Sequence, residues 1–223
     1  MGTNNLRHSF FYRNGLTLFF MALFIITICA QALTGWKQHN QEIKEEGGRE
    51  LEFKLYLQSG HFISATFENF QSEFLQMGMY VLLTVGLRQI GSAESKSLDE
   101  EEDVDREPKP GPNAPSPVNK GGLWLKLYSN SLSLCFFILF MVSWVLHLHG
   151  SWVDHNDLQL LKHLPTDSLG QFLWQPTFWF ETFQNWQSEF ISIVSIVFLS
   201  IYLRQKGSPE SKPVDAPHME TGK

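Results

Sequence analysis

Two stretches of this chain carry no Asp, Glu, Lys or Arg: Leu16 to Leu33 (LTLFFMALFIITICAQAL) and Leu132 to Leu148 (LSLCFFILFMVSWVLHL). Each approaches the ~20 residues that cross a bilayer, so each predicts a transmembrane helix. A shorter apolar run follows in each half. About 14 residues separate Glu73 from Arg88, and as many separate Glu189 from Arg204. At ~1.5 Å per residue that reaches about 21 Å, short of a ~30 Å hydrocarbon core. A spanning helix must therefore extend back through the glutamate. Aromatic residues continue upstream (Phe62, Phe67, Phe70; Phe178, Trp179, Phe180, Phe183, Trp186) and favour that longer helix. The alternative is a short helix capped by Ser72 or Ser188, with the glutamate in its first turn against the helix dipole.

The pattern is written twice. Thr66-Phe67-Glu68-Asn69-Phe70-Gln71-Ser72-Glu73-Phe74 returns as Thr182-Phe183-Gln184-Asn185-Trp186-Gln187-Ser188-Glu189-Phe190, an offset of 116 (189 − 73 = 116). Leu87-Arg88-Gln89, Gly91-Ser92 and Glu94-Ser95-Lys96 return as Leu203-Arg204-Gln205, Gly207-Ser208 and Glu210-Ser211-Lys212. The same offset maps Trp36, His39 and Asn40 onto Trp152, His155 and Asn156. An ungapped match over a whole half is the mark of one duplicated structural unit.

Lys and Arg near the helix ends set an orientation. Arg7, Arg13, Arg88, Lys120, Lys126, Arg204 and Lys206 fall on one side, with little beyond Lys37 close to the other. The positive-inside rule then puts both termini and the central linker in the cytoplasm. Arg7, Arg13 and Ala30-Gln31-Ala32 have the look of a cleavable leader. The apolar run is longer than a usual leader core, however, and its copy lies mid-chain, so a retained helix is expected. The fold class that follows is an all-α membrane protein: four transmembrane helices as two parallel two-helix repeats, with long outer loops and a disordered acidic linker. The domains expected are residues 1–96 and 120–212 as the two repeats, 97–119 as the linker and 213–223 as a flexible tail.

Composition refines this picture. The mean hydropathy of −0.14 is an average over sharply alternating apolar and polar segments. The net charge of −6 comes largely from soluble segments, notably Asp99 to Asp105, which runs into a Pro/Gly stretch. Such a composition predicts an extended linker. An acidic balance without a basic patch excludes nucleic acid as a partner. The two cysteines, Cys29 and Cys135, lie inside predicted spans at non-equivalent positions and make no disulfide framework. Motifs for serine hydrolysis, zinc proteolysis or phosphate binding are absent, and no enzymatic activity is expected.

Chemistry concentrates on the second helix of each repeat. On a wheel from Asn69, Ser72, Glu73, Gln76, Tyr80 and Thr84 fall within about 60° either side. The copy holds Asn185, Ser188, Glu189, Ser192 and Ser200 on the same arc, with Ile196 the one apolar member. In lipid such a stripe must turn toward protein or a water-filled cavity. The first helices add Gln31 and His147, at roughly the depth of Glu73 and Glu189. Under twofold pseudo-symmetry the two glutamates approach each other, giving a candidate intramembrane polar site of Glu73, Glu189, Asn69, Asn185, Gln31 and His147 for a proton or cation. Plain capping or interhelical hydrogen bonding explains the same residues without a function. The repeated Leu-Arg-Gln-x-Gly-Ser-x-Glu-Ser-Lys reads as a helix stop, and Trp36 and Trp152 as interfacial anchors. His147, His149, Asp154, His155 and Asp157 raise a metal question. The first half lacks the paired His, so exposed loop histidines are expected, with no metal and no cofactor.

Tyr12-Arg13-Asn14-Gly15-Leu16, Gln31-Ala32-Leu33-Thr34-Gly35-Trp36, Ser59-Gly60-His61-Phe62, the two Asn-(Phe/Trp)-Gln-Ser-Glu-Phe segments and the two Arg-Gln-x-Gly-Ser-x-Glu-Ser-Lys ends form a specific set. It resembles an uncharacterised bacterial membrane-protein family classed as a domain of unknown function, over nearly the whole chain outside the linker. The resemblance implies the bacterial inner membrane and supplies no activity. The function expected is a non-catalytic scaffold or accessory membrane subunit; the alternative is a small channel or proton/cation-coupled transporter using the paired glutamates. The expected partners are the lipid bilayer and a membrane protein or a second copy of the chain.

Overall fold

A computed structural model describes residues 9–222. Among them the chain is all-helical, with nine α-helices, one 3₁₀ turn and no strand. The first half contributes α1 (Phe10–Arg13), α2 (Gly15–Glu45), α3 (Phe53–Tyr56) and α4 (Gly60–Leu83). A 3₁₀ turn (Asp103–Asp105) and α5 (Ser116–Lys120) lie between the halves, followed by α6 (Gly122–Ser129), α7 (Ser131–Leu161), α8 (Leu169–Phe172) and α9 (Pro176–Tyr202). The boundaries keep the sequence offset. α7 begins and ends 116 residues after α2 (131 − 15 = 161 − 45), and α8 and the start of α9 follow α3 and the start of α4 at the same spacing.

Two helices, α2 and α7, are long and apolar enough to cross a membrane. At 31 residues each they rise about 46 Å, so their charged C-terminal ends extend well past the apolar runs. α4 has 24 residues and α9 has 27, about 36 and 40 Å. Both start far upstream of the glutamates, which removes the short-helix alternative. Ser72 and Ser188 are mid-helix, and their hydroxyls donate back to the carbonyls of Asn69 and Asn185 at 2.8 Å instead of capping an N-terminus. Length therefore suffices for a crossing in α4 and α9, although their polar residues set them apart from α2 and α7. Cys29 and Cys135 are free and exposed.

The chain falls into two compact units, each drawing on both halves of the sequence: Met1–Ile63 with Gly150–Ser168, and Ser64–His149 with Leu169–Lys223. In the first unit, one clamp appears twice. Trp36 Nε1 donates to the Leu51 carbonyl at 2.8 Å, and the Asn40 side chain both donates to that carbonyl and accepts from Leu51 N–H. Trp152 and Asn156 hold Asp167 by the same three bonds. The tryptophans expected as interfacial anchors each fasten a loop. Gly60 lets α4 begin against α7, since a Cβ there would stand 2.5 Å from Asp154 N and 2.6 Å from the Gly150 carbonyl oxygen.

In the second unit the repeated Leu-Arg-Gln-x-Gly-Ser-x-Glu-Ser-Lys motif is a helix stop in both copies. Arg88 Nη1 donates to the carbonyls of Thr84, Val85 and Leu87. Arg204 Nη1 does so to Ser200, Ile201 and Leu203. Ser95 and Ser211 accept from Gln89 and Gln205 N–H at 2.9 Å. An arginine at the negative end of a helix, tied to its orphan carbonyls, is a favourable cap.

The segment expected to be a disordered linker holds local structure. Lys96 pairs with Asp105, the Glu102 carboxylate accepts from Ser97 N–H at 2.7 Å, and Glu102 and Asp105 form a capping box. The Lys96 ammonium, hydrogen-bonded to Asp105, holds that carboxyl below its ordinary range. The tail is likewise tied down. Lys212, 2% exposed, donates to the carbonyls of Gly91, Pro217, His218 and Glu220 at 2.6–3.1 Å. Thr221 accepts from Gly91 N–H. Two of these ties, from Gly91 to Lys212 and to Thr221, join residues 121 and 130 apart in sequence, which local composition does not reveal. Arg7 lies outside the described residues.

Candidate functional site

α4 and α9 meet along a polar seam in the second unit. Its centre obeys the repeat: Gln76 Nε2 donates to Ser192 Oγ at 2.7 Å and to the Glu189 carbonyl at 2.9 Å, and Ser192 is the copy of Gln76. Equivalent positions face each other there, as they must near a twofold pseudo-axis. Glu73 and Glu189, also copies, lie close enough for their charges to repel. Glu73 is exposed and Glu189 half-buried.

One layer away, the Asn185 side chain donates to the Glu68 carboxylate and to the Glu181 carbonyl. Glu181 is near enough to Glu68 for repulsion. Asn69 is exposed, its amide donating to the Ala65 carbonyl on its own helix. Asn185 is thus joined to a carboxylate across the seam, whereas its copy is bonded within α4. His147 is fully buried, 3.3 Å from Ser64 Oγ and stacked on Phe178 at 5.1 Å between ring centroids. Gln31, half-buried on α2, belongs to the other unit. On the opposite side of Gln76, a cavity of about 300 Å³ opens between the helices, lined by Tyr80, Leu83, Glu94, Phe190 and Val194 among others. Tyr80 donates to Glu94 there at 2.8 Å.

Glu68 and Glu181 were not among the residues singled out from the sequence. Glu181 was legible, since it stands four residues before Asn185 and so on the same helix face. Glu68 was not, because it falls outside the polar arc and its copy is the neutral Gln184.

In the first unit, α2, α3 and the first turn of α4 bring together His39, Glu42, His61 and Tyr56. The two imidazoles stack at 4.5 Å between centroids, and Tyr56 Oη lies 3.2 Å from His61 Nδ1. Tyr56 is 1% exposed. Its phenol is pushed up to about 12 by burial, then by the Asp154 and Glu42 carboxylates. Burial, reinforced by the adjacent His39, lowers the His61 pKa below its ordinary value. None of these four entered the sequence-derived site. His147, His149, Asp154, His155 and Asp157 form no three-ligand cluster among the described residues.

These features define a helical protein with two membrane-length apolar helices and carboxylates along a helix–helix seam. The chain belongs to the family described as Domain of unknown function (DUF6766), which matches residues 7–223. No curated protein and no solved structure matches it.

Proposed function

We propose that the protein crosses the bacterial inner membrane four times and passes protons or small cations along the α4–α9 seam. In this reading α4 from Phe67 onward and α9 join α2 and α7 as spans. Both termini and the linker lie on the cytoplasmic, Lys/Arg-rich side. The lipid bilayer is the obligatory partner.

The observation that carries the proposal is a file of polar groups between two otherwise apolar helices. It runs from Glu181, Glu68 and Asn185, past the half-buried Glu189 with the exposed Glu73 near it, to Gln76 with Ser192 and then Tyr80 with Glu94. From Glu68 to Tyr80 the helix rises about 18 Å, over half the thickness of a hydrocarbon core. Carboxylates at such depth are costly and characteristically line ion or proton routes. Gln71, Thr182 and Trp186 also bury side-chain polar atoms that have no protein partner. In this reading water held within the seam satisfies such atoms and links the file.

The test is proton flux into proteoliposomes under an imposed potential, read by an internal pH dye. Wild type should acidify the lumen, and Glu68→Gln or the Glu73→Gln/Glu189→Gln double variant should lower the rate at least tenfold. A silent wild type, or variants that conduct as well as it does, overturns the reading. The seam would then be interhelical glue in a non-catalytic scaffold or accessory subunit.

A further inference from the structure

We propose that His39, Glu42 and His61 form a binding site for a divalent transition metal, with Zn²⁺ as the favoured ion. His39 and Glu42 are three residues apart on α2 and so share a face. One ligand atom from each of the three side chains lies within 4.8 Å of the other two. A tetrahedral Zn²⁺ with bonds of about 2.0–2.2 Å sets its ligand atoms roughly 3.3 Å apart. Side-chain rotations of under about 2 Å close the triad onto an ion of that kind. Two imidazoles and one carboxylate leave a fourth position for water or an external ligand.

A second observation points to a ligand. His39 is 4% exposed, and its Nδ1 is buried without a hydrogen-bond partner. The nearest carboxylate oxygen, Glu42 Oε2, is 3.9 Å away, too far for a hydrogen bond. A buried imidazole nitrogen left unsatisfied is costly unless something occupies it. An ion between His39 Nδ1 and Glu42 removes the cost. With Nδ1 of His61 held by the Tyr56 hydroxyl, its Nε2 is the atom left to bind the metal; such a hydrogen bond fixes ring orientation in metal sites. Glu42 is 41% exposed at its side chain, which gives the ion a way in.

The duplication supplies the control. His155, the copy of His39, lies 3.0 Å from the Asp167 carboxylate. The position equivalent to Asp167 in the first half is Leu51, so His39 has no such carboxylate. Conversely, Glu42 and His61 are replaced in the second half by Leu158 and Thr177. One half neutralises its shared histidine with an acid in the loop; the other assembles three ligands around it. The site is built once.

The experiment uses the full-length protein in detergent, stripped with chelator, and titrated with Zn²⁺ against a chromophoric competitor. Co²⁺ serves as the spectroscopic probe. Wild type should bind one tight Zn²⁺ per chain and give the intense visible bands of tetrahedral Co²⁺. His39→Ala and His61→Ala should weaken binding at least 100-fold and abolish those bands. Glu42→Gln, at a partly exposed position that the fold tolerates, should weaken binding at least tenfold and guards against a misfolded histidine variant. Tyr56→Phe should weaken it about tenfold. His155→Ala should bind as wild type does. No stoichiometric Zn²⁺ in wild type, a Glu42→Gln protein that binds unchanged, or equal loss in His155→Ala overturns the assignment.

Discussion

At the residue scale, the duplication shows how far one substitution redirects a conserved neighbour. His39 and His155 occupy equivalent positions, yet Leu51 against Asp167 gives them opposite surroundings. Tyr56 illustrates the same dependence on context, because nothing in its local sequence marks it as buried. Its phenol is held near 12, while an unfolded tyrosine ionises near ~10. Between those values the folded state keeps a proton that the unfolded state has shed. Stability is therefore lost as pH rises from about 10 to about 12 and is fully present below that window. Thermal unfolding in detergent at about pH 9.5 and 11.5 should show this loss in wild type and a shallower one in Tyr56→Phe. Identical slopes would mean that the phenol is solvated.

At the element scale, helix ends are where the two halves use the same residues for related but distinct ties. The arginine stops share their three Nη1 bonds and an Nε bond to a carbonyl nine residues on, Ser97 or Pro213, and Arg204 adds one to Ala216. The lysines that follow do not match: Lys96 takes Asp105, while Lys212 is buried against four carbonyls, one of them from the first copy's loop. Burial and the nearby Arg204 lower the Lys212 pKa below its ordinary value, against the pull of Glu220. Its bonds to carbonyls nevertheless hold the tail. Lys212→Met should cost about 1–3 kcal/mol, read as faster proteinase K trimming of residues 213–222 while cutting at the linker proceeds as in wild type. Unchanged trimming would show that Thr221 and Gly222 suffice.

For the whole molecule, the proposed orientation has a direct check. Protease applied to the cytoplasmic face of inside-out vesicles should cut between Pro108 and Pro117, beyond the capping box, and leave two membrane-held fragments. Cutting from the outer face alone would invert the topology and place the His39 site in the cytoplasm. Four crossings, if present, demand that the carboxylates of α4 and α9 turn away from lipid. The polar groups do face one another at Gln76 and Ser192.

Hydropathy, length and the 116-residue offset are properties of the sequence itself, so the long apolar helices, the helix stops and the backward extension of α4 and α9 are all legible in it. The pairing of Glu73 with Glu189 stays an expectation of the repeat, since symmetry relates copies without knowledge of packing. Tertiary structure alone decided which other groups meet. Glu68 reaches Asn185 from 117 residues away, the tail folds back onto Gly91, and His61 joins His39 through a loop whose path depends on Tyr56 packing. Each of these depends on side-chain direction and interhelical rotation, and neither is encoded in the period of a hydrophobic pattern.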